Sequence, residues 1–135
     1  MTRLFDTTAA SAWMWADPML LAYLDSLPPT DWIITCPTVR GEILFGVWRM
    51  PDGRKKRDLA AKARQLFRIA PCVSAPPSVG DGYARVKLDC EQSGRGVAEN
   101  DLWIAATAIA LDATLLTRDR DFAQVEGLRT ADWTP

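Results

Sequence analysis

Five carboxylates stand where an apolar run stops or a helix is due to begin. Asp6 follows Leu4 and Phe5, Glu42 lies in "TVRGEILFGV", Asp101 in "ENDLWIAA", and Asp119 and Asp121 in "LLTRDRDF". The chain has no histidine, which excludes Ser-His-Asp and Cys-His nucleophiles, His-ligated zinc and paired histidines acting on RNA. Chemistry must then run on carboxylates, amines, hydroxyls or a bound metal. Crowded like charges raise one another's pKa unless a cation relieves them. An all-oxygen donor set suits a hard divalent ion, Mg²⁺ or Mn²⁺, which keeps waters in its octahedron. Such a site activates water and stabilises charge on a phosphoryl oxygen, so phosphodiester hydrolysis is its natural reaction.

The elements must bring these acids together. "RLFDTT" is a short strand that stops at Asp6, followed by a helix through "AASAWMWA". Asp17 and Pro18 supply an N-cap and first-turn proline for a second helix, which Pro28 and Pro29 end. "DWIITC" reads as a buried strand, and Thr38 is the expected cap of a helix running to about Met50, with Val39, Ile43, Val47 and Met50 on one face. Residues 54 to 70 predict an amphipathic basic helix. Ser78 and Asp81 resemble a capping box opening a further helix. After the connector "SGRGVAEN", Glu99 or Asn100 is the expected cap of "DLWIAATAIAL", a helix of small residues able to pack closely. "ATLLT" is a fully apolar strand, and "GLRTADW" closes the chain with one more edge strand.

This order of elements implies an α/β sandwich around a mostly parallel sheet. Ligands of such sheets gather outside the carboxyl ends of the strands. That edge would collect Asp6, Glu42, Asp101, Asp119 and Asp121. Each acid also has a structural alternative: Asp6 as a helix cap, Asp101 as a first-turn acid favoured by the helix dipole, Glu42 as a solvated helix charge.

Composition sets the outer bounds. At 135 residues, 48% hydrophobic and 24% charged, the chain is expected to form one domain with an ordinary buried core. No apolar run approaches the roughly 18 residues of a membrane span, and the start lacks a secretory segment, so a cytoplasmic location is expected. Cys36, Cys72 and Cys90 fit neither a disulfide framework nor a zinc pattern and read as buried thiols. The absence of a Gly-rich phosphate loop argues against P-loop nucleotide hydrolysis.

The stretches "LFDTT", "TVRGEILFGV", "SGRGVAENDLWIAATAIALDATLLTRDRDF" and "VEGLRTADW" together resemble a PIN-domain ribonuclease of the VapC toxin type, over Leu4 to Trp133. The resemblance implies a single PIN-like domain over residues 1–135, an α/β/α sandwich. It also implies an Mg²⁺-dependent endoribonuclease, with Mn²⁺ able to substitute, acting as the toxin of a toxin–antitoxin pair. Carried over by position, the family's catalytic and metal-binding acids fall on Asp6, Glu42, Asp101 and Asp119, with Asp121 a further metal ligand. Thr7 and Thr117 match hydroxyls that support the first and last acids, while Thr8 stands where the family usually has Asn or Ser. A VapB-type antitoxin and a homodimer are the implied partners, with RNA as substrate and no membrane.

Arg118 and Arg120 have three open roles: offsetting the charge of Asp119, contacting phosphate, or meeting a partner. Residues 49 to 68 hold 8 of the 16 Lys and Arg against 2 acids, leaving the other 115 residues at −7. Most of this strip reads as a solvated helix face, and part of it could follow an RNA backbone or receive an acidic antitoxin segment. Trp13, Trp15 and Trp48 are expected to flank the site, some in the core and some in a groove. Two rival readings remain: a catalytically inactive PIN-like module that binds RNA or protein, and a carboxylate-site phosphatase of another α/β class.

Overall fold

A computed structural model describes residues 1–135. Its sheet is built from β1 (Thr2–Phe5), β2 (Trp32–Ile34), β3 (Thr114–Leu116) and β4 (Thr130–Ala131), all parallel, in the order β2-β1-β3-β4. The register pairs Leu4 with Ile34 on one side and with Leu115 on the other. Leu4, Phe5, Leu115 and Leu116 have no exposed surface, as expected of central strands covered on both faces. The chain leaves β1 toward β2 on one side and returns by β3 on the other. A crevice therefore opens between the carboxyl ends of β1 and β3, the switch point where ligands of parallel sheets bind.

Six helices surround the sheet: α1 (Thr7–Met14), α2 (Pro18–Asp25), α3 (Pro37–Trp48), α4 (Arg54–Ile69), α5 (Ser78–Gln92) and α6 (Glu99–Ala110). Asp17 caps α2 through Met19 N at 2.9 Å, with Pro18 in the first turn, as expected. The small residues of α6 do pack closely: a Cβ built on Gly82 of α5 would meet Ala106 at 3.6 Å. A single cluster of 26 buried side chains links strands and helices. No helix is long and apolar enough to cross a membrane. Cys36 and Cys90 are buried and Cys72 half-buried, all three free.

Three caps differ from expectation. Helix α3 begins at Pro37 rather than behind Thr38, with Cys36 as a cap that makes no side-chain bond; proline has no N–H to satisfy and a preset φ, so it takes the first helical position. The Ser78/Asp81 capping box is not formed, because the helix starts a residue early: Pro77 is the N-cap, Val79 N and Gly80 N bond to the carbonyls of Pro76 and Pro77, and Ser78 lies inside the first turn. Neither Glu99 nor Asn100 caps α6, whose N-cap is Ala98. Glu99 is instead drawn outward to Lys87 Nζ at 3.3 Å. A 3₁₀ turn at Arg120–Gln124, not foreseen in the sequence, follows β3.

Candidate active site

Asp6 ends β1 and is 2% exposed. Its Oδ1 accepts from Thr8 Oγ1 at 2.6 Å and from Ala9 N at 2.8 Å, while its Oδ2 accepts from Thr117 Oγ1. The cap reading and the site reading of Asp6 thus coexist, because one oxygen closes the first turn of α1 and the other faces β3. Burial pushes the Asp6 carboxyl above its ordinary range despite these three donors, and the charge of Asp119 adds to the rise.

Two hydroxyls tie the strand ends together. Thr117, just past β3, donates to Asp6 and accepts from Asp119 N at 2.9 Å. Thr8 donates to the other oxygen of Asp6 and accepts from Arg118 N at 3.2 Å. Asp119 Oδ1 in turn caps the 3₁₀ turn by accepting from Asp121 N at 2.9 Å. On the far side Thr7 Oγ1 donates to Glu42 Oε1 at 2.6 Å, which brings the α3 glutamate to the start of α1. Thr8, at the place where the resemblance expected Asn or Ser, keeps a bond to the carboxylate through its hydroxyl.

Asp101 sits in the first turn of α6, half-buried. Burial, followed by the charges of Asp119, Glu42, Asp6 and Asp121, pushes its carboxyl up to about 6. The charges of the other four acids reach Asp101, and the Thr7 and Thr117 hydroxyls link to Glu42, Asp6 and Asp119, so the acids share one edge of the sheet. No three of them, however, converge closely enough to hold a metal ion as the side chains lie. None of the five belongs to any ion pair in the chain. Asp119 Oδ2, Glu42 Oε2 and both oxygens of Asp101 accept no hydrogen bond within the protein.

These donors suit Mg²⁺ or Mn²⁺: all are oxygens, several have unused lone pairs, and their mutual repulsion lacks a cation. As the side chains lie, no three of them form a group that could hold a metal ion. Mg²⁺ usually takes only one or two carboxylates and retains waters, so the oxygen chemistry suits it even though the side chains do not form a ready ligand group.

Other residues depart from the sequence reading. Arg118 turns away from the acids: its guanidinium pairs with Asp17 at 3.3 Å and lies over the Trp133 ring at 4.4 Å. Its backbone, not its charge, serves the site. Arg120 makes no ion pair. Trp15 and Trp48, each 68% exposed, sit beside α4, with Lys62 over Trp15 at 4.4 Å, and neither lines the acidic cleft. Trp13 packs half-buried against the core. The tryptophan that does reach the cleft is Trp103, one turn before Thr107 on α6. The signal that could have found it is its position two residues after Asp101.

A parallel sheet with acids rimming its switch point defines the class, and the chain belongs to the PIN-domain family, whose model matches residues 3–128. Among its relatives is the ribonuclease VapC1 of Haemophilus influenzae strain R2866, 26% identical over 137 residues and covering 99% of both chains. The toxin FitB of Neisseria gonorrhoeae is 32% identical over 124 residues, covering 86% of each. In fold, the chain matches the crystal structure of VapBC2 from Rickettsia felis bound to a promoter DNA fragment. There the TM-score is 0.91, with 23% identity over 99% of this chain and 100% of that one.

Proposed function

We propose that this chain is the toxin of a VapBC-type toxin–antitoxin pair, an Mg²⁺-dependent endoribonuclease held inactive by a VapB-type antitoxin and working as a homodimer. The observation that carries the reading is the unpaired cluster of Asp6, Glu42, Asp101 and Asp119, with Asp121 beside it, at the carboxyl ends of β1 and β3. Kinship with proteins named ribonuclease VapC and toxin FitB supports it.

The division of labour follows from the geometry. Mg²⁺, when bound, supplies Lewis-acid stabilisation of phosphoryl charge and lowers the pKa of water. Asp6 is the fixed member, its two oxygens set by three donors. Glu42 is steered by the Thr7 hydroxyl, and Asp119 is set by the turn it caps. Asp101, whose two oxygens accept no hydrogen bond within the protein, is free to hold the ion or to take a proton from an attacking water. The water oxygen bonds to phosphorus as the bond to the leaving ribose oxygen breaks, and that oxygen takes a proton from solvent.

Expression of the chain without its antitoxin tests the reading. Wild type is expected to arrest growth, Asp6→Asn and Asp101→Asn are expected to be harmless, and co-expression of the antitoxin should restore growth. Toxicity retained by both variants would overturn it. The absence of a closed cation cage and the capping bond of Asp6 to Ala9 N favour a second reading, a non-catalytic PIN-like module. That reading predicts no more thermal stabilisation by Mg²⁺ or Mn²⁺ than by monovalent salt of equal ionic strength.

A further inference from the structure

Beside the acids lies an open cleft of about 630 Å³, walled by Thr7, Glu42, Phe45, Asn100 and Trp103 among others. It is continuous with the candidate site through Glu42 and Thr7, and Asn100 precedes Asp101 on the first turn of α6. Phe45 of α3 is 64% exposed, a large ring held in water by a helix whose inward face is already filled by Val39, Ile43 and Val47. Trp103 is braced from behind: the Tyr83 ring stacks on it with centroids 3.8 Å apart and planes 8° from parallel, and Tyr83 does not reach the cleft. Tyr83 is itself fixed, since its hydroxyl donates to Glu99 and accepts from Lys87 Nζ at 3.0 Å. The tryptophan plane is therefore set before any ligand arrives.

The geometry points to a nucleobase slot. Resting on the ribonuclease reading, we assign Phe45 and Trp103 as the aromatic walls that receive one unpaired base next to the scissile phosphate, with the Asn100 amide reading its polar edge. The two rings are the only large apolar walls, while Thr7, Glu42 and Asn100 are polar. An apolar protein side chain finds little there to bury against, whereas a base offers two π faces and a hydrogen-bonding rim. The Arg49 guanidinium carbon stands 5.7 Å from the Phe45 centroid, a cation within reach of the phosphate that adjoins a stacked base. The consequence is selection for unpaired RNA, because a base held in a duplex cannot enter.

The test uses short single-stranded RNAs carrying one 2-aminopurine at successive positions, bound to the full chain in EDTA at low salt so that cleavage is not required. Fluorescence quenching at one position, lost in Phe45→Ala with roughly tenfold weaker binding and restored in Phe45→Trp, is the expected result. Phe45 is exposed, so its replacement leaves the core intact; circular dichroism checks this. An abasic site at the same position should weaken wild type and leave Phe45→Ala unaffected. Equal abasic losses in the two proteins, or no quench at any position, would overturn the slot. So would a Phe45→Ala variant altered only in self-association or antitoxin affinity, which would place the ring in a protein interface. Failure of the nuclease reading looks different: the quench pattern survives, but adding Mg²⁺ to wild type leaves the RNA whole.

Discussion

The two ends of β1 treat a buried acid in opposite ways. At the amino end, Asp31 accepts from Arg3 Nε at 3.0 Å and from the N-terminal amine at 3.3 Å, while Arg3 also donates to Tyr23 at 3.0 Å. Arg3 first, then the amine, holds the Asp31 carboxyl below its ordinary range. At the carboxyl end, a few residues away, Asp6 and Asp101 are pushed up by burial and by other carboxylates, with no cation beside them. The amino end satisfies its charge within the fold. The carboxyl end leaves its acids without a cation within the fold, the pattern of perturbed carboxylates on which the proposed site rests.

Removing charge should break this contrast most visibly at the carboxyl end. Asp6→Asn and Asp101→Asn are each expected to lower RNA cleavage on the order of 10³-fold, comparable to the loss of a key electrostatic group. In EDTA the same proteins should melt no lower than wild type, because a repulsive charge has gone. Activity assays beside thermal melts check both halves, and an Asp101→Asn protein that is both inactive and markedly less stable would make that acid structural.

Thr117→Val removes the hydroxyl that bonds Asp6 and receives Asp119 N. About 10- to 100-fold of activity should be lost, the usual effect of removing a group that orients a metal ligand. Thr117→Ser should restore most of it. A valine variant with full activity would show that the two strand-end acids need no common support. At the amino end the expectation reverses: Arg3→Ala should lower the melting temperature by several degrees through its stranded Asp31 partner while cleavage per folded molecule is kept. Steady-state kinetics on protein held well below its melting temperature separates the two effects.

The pH response sharpens the comparison with the smallest effect. Asp101 binds its proton more tightly folded, at about 6, than its ordinary value of 3.8, and Asp6 shifts the same way. The folded state therefore takes up protons as pH falls through 6, and metal-free stability should rise by a modest amount between about pH 7 and 5. Asp31 has the opposite sign, since its depressed carboxyl stabilises the fold above its ordinary value and loses that contribution as pH falls through its lower folded value. Melts in EDTA across this range, with Asp101→Asn alongside, test the assignment. A variant curve identical to wild type between pH 7 and 5 would assign the rise to another group.

Much of the acidic end of the sheet was legible in the sequence because its signals are local. An apolar run that stops at Asp6, and another that stops before Asp119, mark the carboxyl ends of two strands, and the parallel-sheet rule then places both acids on one edge. Asp17 and Pro18 announced α2 in the same local way. What stayed hidden depends on partners far along the chain. Two of the three roles left open for Arg118, offsetting Asp119 and contacting phosphate, faced the site, yet its guanidinium is taken by Asp17 and Trp133, a competition that spacing cannot reveal. Ser78 fits a capping box by type, but Val79 N and Gly80 N bond to the carbonyls of Pro76 and Pro77, so the helix begins before Ser78 can act as its cap. The Tyr83–Trp103 stack joins two helices, and neither residue alone signals it. Trp15 and Trp48 were placed near the site by chain proximity, whereas the turn of their helices carries them to the α4 side.

The proposed function requires that the acids at the carboxyl end of β1 form a metal-dependent centre that hydrolyses RNA. The most direct measurement is cleavage of a total small-RNA pool by the purified, antitoxin-free chain in Mg²⁺, in Mn²⁺ and in EDTA, beside Asp101→Asn. Discrete fragments in both metals, absent in EDTA and absent with the variant, are the predicted result. Intact RNA in every lane from folded wild-type protein would contradict the claim and leave the carboxylates as capping groups of a binding module.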